Sequence, residues 1–235
     1  MGIKTVLFDL DGTLLPMEQE KFIKTYLKRI TTRLAKSGYD PRQLAGVILA
    51  GTEKMVANDG TISNEEVFWR AFESVYGENS RADEPKFNDF YVEEFDLVKE
   101  SCGYTPKARE CIKKLKESGK RLVLATNPLF PAIATEKRMA WAGLDREDFE
   151  LYTTYENSSY CKPNVKYYEE ILSKIGASPE ECLMVGNDAL EDMIAEKLGM
   201  RVFLLTDCLI NRTGIDTSKY PSGSFEELLA YIENN

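Results

Sequence analysis

Ile3-Lys4-Thr5-Val6-Leu7-Phe8-Asp9-Leu10-Asp11-Gly12-Thr13-Leu14 is the stretch from which the fold of this 235-residue chain is read. Residues 3–8 combine β-branched and aromatic side chains in a short run, the pattern of a buried strand. The run stops at Asp9, and Asp11-Gly12 signals a tight turn just beyond it. Open α/β sheets bind ligands at the carboxyl ends of their strands, so a buried strand ending in two aspartates marks a candidate site as well as a fold element.

Working outward, four further apolar runs occur at residues 121–125, 149–153, 182–185 and 201–205. Helical patterns separate them. Thr105-Pro106 opens one that would bury Ala108, Cys111, Ile112 and Leu115 and ends at Gly119. Tyr168, Ile171, Leu172 and Ile175 stripe another, and residues 191–198 and 225–232 read as two more. This alternation predicts an α/β fold, a three-layer Rossmann-like core with a parallel central sheet and the first strand near its middle.

The interval from 16 to 98 breaks the alternation. Phe22, Tyr26, Ile30 and Leu34 form one helical stripe, and Leu44, Val47 and Ile48 begin a second. Ser63 and Glu66 have the spacing of a capping box that opens a third, and Pro85 starts a fourth. An all-helical cap, residues 16–98, is therefore expected as an insertion into an α/β core made of residues 1–15 and 99–235. Its aromatic residues Phe68, Trp69, Phe72, Phe87 and Phe90 read as core; Arg29 and Arg33 read as a solvated face, and Lys54 and Asn58 as surface loop.

Composition narrows the chemistry. With 39 acidic against 30 basic side chains the formal charge is −9, which opposes nucleic-acid binding. No apolar run approaches the roughly 20 residues needed to span a bilayer. The absence of histidine excludes a Ser-His-Asp triad, a Cys-His pair and His-containing zinc sites, leaving acid–base work to carboxylates. Five cysteines without a CxxC pair, and an amino terminus without a signal-peptide pattern, lead us to expect free thiols and a cytoplasmic location.

The expected strand ends carry Asp9 and Asp11, then Thr126-Asn127, then Gly186-Asn187-Asp188 with Glu191 and Asp192 beyond, and Lys162-Pro163 follows the third run. Close carboxylates repel unless a cation lies between them, and oxygen ligands without Cys or His favour Mg2+, with Asp9, Asp11 and Asp188 as ligands. Asp9 could then attack phosphorus, and Asp11 could protonate the leaving oxygen and later activate water. The Thr126 hydroxyl, the Asn127 backbone N–H and the Lys162 ammonium would stabilise the charged phosphoryl oxygens.

Phe8-Asp9-Leu10-Asp11-Gly12-Thr13-Leu14, Thr126-Asn127, Lys162-Pro163 and Gly186-Asn187-Asp188-Ala189-Leu190-Glu191-Asp192 resemble, in order, the four motifs of the haloacid dehalogenase (HAD) superfamily, with the insertion placed like that family's helical C1 cap. The resemblance implies a Mg2+-dependent phosphatase acting on a small phosphorylated metabolite through an aspartyl-phosphate. It assigns Asp9 as nucleophile, Asp11 as general acid/base, Thr126 and Lys162 as phosphate binders and Asp188 as metal ligand. Asp192 would orient Lys162 or the metal's waters. Asn187 intervenes where many members carry aspartate directly after the glycine, so the roles of Asn187 and Glu191 stay open. Members that cleave carbon–halogen bonds lack the second aspartate, and Asp11 argues against that chemistry. A phosphomutase and a non-enzymatic phospho-aspartate switch are the alternatives.

Overall fold

The computed structural model describes residues 2–235. Thr5–Phe8 forms β1, buried at every position. Arg121–Leu124 (β2), Leu151–Tyr152 (β3), Cys182–Gly186 (β4), Arg201–Leu205 (β5) and Ser222–Gly223 (β6) complete a six-stranded sheet of order β3-β2-β1-β4-β5-β6. All the pairings are parallel. The chain leaves β1 to one side for β2 and later returns to the other side for β4. The carboxyl end of β1 is thus the switch point of the topology, where a crevice opens.

Register fixes which residues meet there. Phe8 lies level with Leu124 on one side and Val185 on the other. The ladder runs one step further, with Asp9 N donating to Val185 O at 2.9 Å and Ala125 N to Phe8 O at 2.7 Å. Asp9, Thr126 and Asn187 therefore emerge together at one edge. Alternation along the strands serves two cores. Val6 and Phe8 pack with Leu122, Leu124, Leu183 and Val185 on one face, and Leu7 with Val123 and Met184 on the other.

Pro106–Glu117, Ala132–Trp141, Val165–Ile175 and Phe225–Glu233 are core helices, numbered α5 to α8 after the four inserted ahead of them. Proline at N1 opens α5 and left-handed Gly176 closes α7, as the sequence predicts. Two expectations need correction. Residues 191–198 are not an α-helix: only Met193–Leu198 is helical, as a 3-10 turn, because the Asp188 carboxylate accepts from the Leu190 and Glu191 N–H groups. β3 is shorter than residues 149–153, since the Phe149 N–H closes a 3-10 turn on Arg146 O instead of entering the ladder.

Between β1 and β2 lie Gln19–Ala35 (α1), Pro41–Val56 (α2), Asn64–Tyr76 (α3) and Glu84–Glu93 (α4), without a strand among the described residues. Asp40 caps α2, accepting from Arg42 N and Gln43 N at 3.0 and 2.9 Å. The capping box expected at α3 is only half made. Ser63 Oγ accepts from Glu66 N, but the Glu66 carboxylate is taken by Arg70 and Arg81. Arg29 pairs with Glu100, and Arg33 with Glu93 and Glu94, so these arginines tie α1 to the segment around α4.

The two crossings between insertion and core run side by side, with Gly103 N donating to Pro16 O at 2.7 Å. Aromatic packing continues from one part to the other. Tyr26 of α1 meets Phe130 edge-on at 5.2 Å, and Phe95 stacks on Trp141 of α6 at 5.0 Å. Such rings bury large apolar areas, so the insertion is held against the core by the same hydrophobic cluster that holds the sheet.

Candidate active site

The turn after β1 builds the first half of the site. Gly12 has φ +90°, and a Cβ there would stand 2.3 Å from Asn187 Nδ2, so the position accepts only glycine. That close approach lets Thr13 Oγ sit 3.0 Å from both Asp9 Oδ2 and Asn187 Oδ1, with one proton to share between them. Asn187 Nδ2 donates in turn to Cys208 O at 2.7 Å. Asn187, whose role the sequence left open, is thereby a bracket that joins the β1 turn to the β4 turn.

The second half is a buried ionic relay. Lys162 Nζ donates to Asp9 Oδ1 at 2.9 Å and to Asp192 Oδ1 at 2.7 Å, and the lysine is 1% exposed. Burial alone would push its ammonium down, but Asp192 and Asp9 override that and hold it well above the ordinary lysine value. Asp192 Oδ2 accepts from Asp188 N at 2.9 Å. Room for that carboxylate exists only because residue 186 is glycine: a Cβ there would lie 2.0 Å from Asp192 Oδ2. Burial raises the Asp192 carboxyl above the usual aspartate range even against the pull of Lys162.

Thr126 and Asn127 follow β2. The Thr126 carbonyl accepts from Thr153 Oγ at 2.6 Å and Tyr167 OH at 2.8 Å, which fixes the loop. Asn127 Oδ1 accepts from Lys162 N at 3.2 Å, and its Nδ2 donates to Glu191 Oε2 at 3.1 Å. Burial, with the charges of Asp192, Asp188 and Asp9, raises the Glu191 carboxyl to about 7 against the opposing pull of Lys162.

Asp11 is turned elsewhere. Arg138 of α6, fully buried, donates from Nη1 to Asp11 Oδ2, while its guanidinium lies 4.5 Å from the Phe130 ring centroid. Asp11 Oδ1 is buried without a hydrogen-bond partner. Burial raises the Asp11 carboxyl, as does the Asp9 charge, with Arg138 acting in the opposite direction. Arg138 was missed in the sequence. The available signal was an arginine on the same helical face as Ala134, Met139 and Trp141, where a charge needs a buried partner.

Asp9, Asp11, Thr126, Asn127, Asp188, Glu191 and Asp192 all line one cavity of about 210 Å³ between the strand ends and the inserted helices, and Lys162 lies beneath its floor. Phe68, Trp69 and Phe87, expected only as core, also contribute to its walls. Asn58, expected as surface loop, is buried and bonded to Asn64 instead. Five carboxyls on the floor face only two cations, Lys162 and Arg138, both already paired. Oxygen donors in excess of positive charge, with an orphaned oxygen on Asp11, suit a hard divalent ion. Among the described residues no three acidic side chains stand together as a ready-made cage, and Arg138 holds one oxygen of Asp11.

Residues 3–197 match the haloacid dehalogenase-like hydrolases. The chain belongs to that family. The pyrophosphatase PpaX of Bacillus cereus (strain AH820) is 27% identical over 222 residues, covering 93% of this chain and 90% of its own. A HAD phosphatase from Thermococcus onnurineus superposes with a TM-score of 0.59 at 20% identity over 98% of both chains. A predicted phosphoglycolate phosphatase from Haemophilus somnus 129PT does so with a TM-score of 0.59 at 20% identity over 97% of both. These two structures share the α/β fold with this hydrolase.

Proposed function

We propose that this hydrolase is a Mg2+-dependent phosphatase that acts on a small phosphorylated metabolite through an aspartyl-phosphate on Asp9. The observation that carries the reading is the Asp9 carboxylate at the tip of β1, oriented by Lys162 Nζ at 2.9 Å and by Thr13 Oγ at 3.0 Å, and facing a cavity roofed by the inserted helices. Membership of a hydrolase family and the pyrophosphatase relative support the same chemistry.

An Asp9 oxygen attacks phosphorus as the bond from phosphorus to the ester oxygen breaks. The departing oxygen takes a proton from Asp11, whose carboxyl is raised by burial toward the range in which it can hold one. Arg138 occupies Oδ2, so the unpartnered Oδ1 is the atom that carries that proton. Asp11, now a carboxylate, takes a proton from water as the water oxygen attacks phosphorus. The bond to Asp9 breaks, inorganic phosphate leaves and Asp9 is restored. Lys162, the Thr126 hydroxyl and the Asn127 N–H stabilise the phosphoryl oxygens, and Asp192 positions Lys162. Asp9, Asp188 and the main-chain carbonyl of Asp11, whose carboxylate oxygens are already engaged by Arg138 and the proton, would hold Mg2+, which would supply the positive charge that lets a phosphate approach the acidic floor.

Among the described residues no lysine or arginine lines the cavity to hold a second phosphate, which favours hydrolysis over a phosphomutase reaction. The test is phosphate release from a panel of monoesters. Turnover should require Mg2+ and disappear in Asp9→Asn. Turnover that persists in Asp9→Asn, or in excess chelator, would overturn the reading.

A further inference from the structure

The walls of the cavity above the acidic floor come mainly from α1 to α4, with Leu129, Phe130, Pro131, Tyr155 and Ile210 completing them, and their chemistry differs from that of the floor. Phe22, Tyr26, Leu49, Val56, Phe68 and Trp69 are among the large apolar side chains of this upper half. Some of its polar groups are engaged: Tyr26 and Tyr91 share a hydrogen bond of 2.8 Å, and the Thr52 hydroxyl donates to Ile48 O at 2.9 Å, while the neutral groups of Gln19, Asn88, Trp69 and Tyr155 also line it. Among the described residues no lysine or arginine lines any part of the cavity. Arg138 is committed to Asp11, and Lys162 lies below Asp9. Arg212, outside, donates to Gln19 at the edge.

The rim carries the same character. Ile23, Leu49 and Val56 are 39%, 44% and 41% exposed, yet all three line the cavity. Large aliphatic side chains on a rim that would otherwise be solvated mark a surface that an apolar group covers on binding.

Charge decides the rest. A second anion on the leaving group would enter an apolar enclosure with no cation to receive it and five carboxyls on the floor below. A buried charge without a partner is strongly disfavoured, and like charges in a poorly hydrated cleft repel more than in water. The phosphate itself escapes this penalty only at the floor, above Lys162 and beside the residues that would hold Mg2+.

We propose, building on the phosphatase reading above, that the substrate is a phosphate monoester of an uncharged, largely apolar alcohol with an aromatic or branched aliphatic body. The phosphate is its only anionic group. Substrates with a second anionic centre, such as pyrophosphate and phosphoglycolate, are excluded by the upper half of the cavity.

The test uses the full chain with Mg2+ and compares 4-methylbenzyl phosphate with 4-carboxybenzyl phosphate. The two differ in charge at a position remote from the ester oxygen and have nearly the same leaving group. Phosphate release should favour the methyl compound by about 100-fold in kcat/KM, with pyrophosphate and phosphoglycolate slower still. Leu49→Lys places a cation on the partly exposed rim and should narrow or reverse the preference by restoring the carboxylated ester. If the carboxylated ester, pyrophosphate or phosphoglycolate is hydrolysed as well as the methyl compound or better, the substrate class is wrong while the phosphatase reading stands. If no member of the panel releases phosphate, both fall together.

Discussion

Arg138 and Asp11 lie 127 positions apart in the chain and form one buried ion pair, in which the guanidinium holds a single oxygen of the carboxylate and leaves the other without a partner. The pair joins α6 to the turn after β1, and it rests on the Phe130 ring. Truncating Arg138 would strand the Asp11 charge in a poorly hydrated place. We expect Arg138→Met to lower stability by about 3 kcal/mol, the scale for breaking a buried pair. Adding Asp11→Asn should recover part of that loss, because the stranded charge goes with it. Urea unfolding of the four members of this double-mutant cycle measures the coupling; strictly additive losses would mean that the pair contributes nothing.

Lys162 presents a different balance, one ammonium between two carboxylates. In Lys162→Met, Asp9 and Asp192 face each other without the charge that separates them, and the phosphoryl oxygens lose a donor. Phosphate release should fall by about 1,000-fold, the scale for removing a preorganised charge-stabilising group. Asp192→Asn keeps the shape but weakens the hold on Lys162, and its loss should be smaller. Equal activity of Lys162→Met and the unaltered protein would remove lysine from the mechanism.

Much of this was legible in the sequence, and the reasons are local. The run to Phe8 followed by Asp9 and Asp11 identifies a buried strand with a polar tip because strand periodicity and turn chemistry act over a few residues. The order of the four motifs places the remaining strand ends beside it. Arg138 does not stand out as a site residue in the sequence, and the parts played by Thr13 and Asn187 within their motifs cannot be read there, because they arise from approaches across 127 and 174 positions that no short pattern encodes. The 3-10 turn at Met193–Leu198 was read as an α-helix for a related reason: its apolar spacing is helical, but the Asp188 carboxylate and Asp192 impose a different start. Gly12 reads as a turn residue and Gly186 as a strand end in the sequence, and both become requirements only when Asn187 and Asp192 are seen to fill the space a Cβ would need.

Gly186→Ala tests that last point. The new methyl group would overlap the Asp192 carboxylate at 2.0 Å, with backbone on one side and Lys162 on the other. Asp192 would have to turn away, freeing Lys162 and the Asp188 N–H together. We expect a loss of several kcal/mol in stability, the scale for overpacking combined with a broken buried pair. An alanine variant with an unchanged unfolding midpoint would show that the Asp192 arrangement is not required.

Asp148 sets an acid limit on the core. It accepts from Lys116 Nζ at 2.7 Å and Asp145 N at 3.0 Å, and it pairs with Arg109. Burial pushes its carboxyl up, but the Asp145 N–H, Lys116 and Arg109 together outweigh burial and hold it below the ordinary value of 3.8. A group depressed in the folded state contributes its stability above the unfolded value and loses it as the pH falls through the folded one. Asp148→Asn should therefore cost about 1 kcal/mol at pH 7 and less near pH 3, below the unfolded value. Unfolding midpoints for both proteins at the two pH values check this; a difference that stays constant with pH would rule out the ionised carboxylate as the source.

Asn64, at the start of α3, is completely buried and fastens the inserted helices to the loops that carry the site. Its Oδ1 accepts from Asn58 Nδ2 at 2.8 Å, and its Nδ2 lies within 3.4 Å of Pro128 O, Tyr160 O and Cys161 Sγ. The backbone adds two further ties, from Asn64 N to Ser158 O and from Glu65 N to Tyr155 O, both 2.9 Å. The segments reached are those between Asn127 and Lys162, so roof and floor share one hydrogen-bonded frame. In Asn64→Ala the backbone ties survive, but the Asn58 amide and the Pro128 and Tyr160 carbonyls each lose a partner. A loss of about 1–3 kcal/mol is expected, the scale for leaving buried polar groups unpaired. Amide exchange at residues 64–66 should rise more than at β1, because the damage is local to the tether. Uniform acceleration across the sheet would instead mean that Asn64 supports the whole fold and is no specific link between roof and floor.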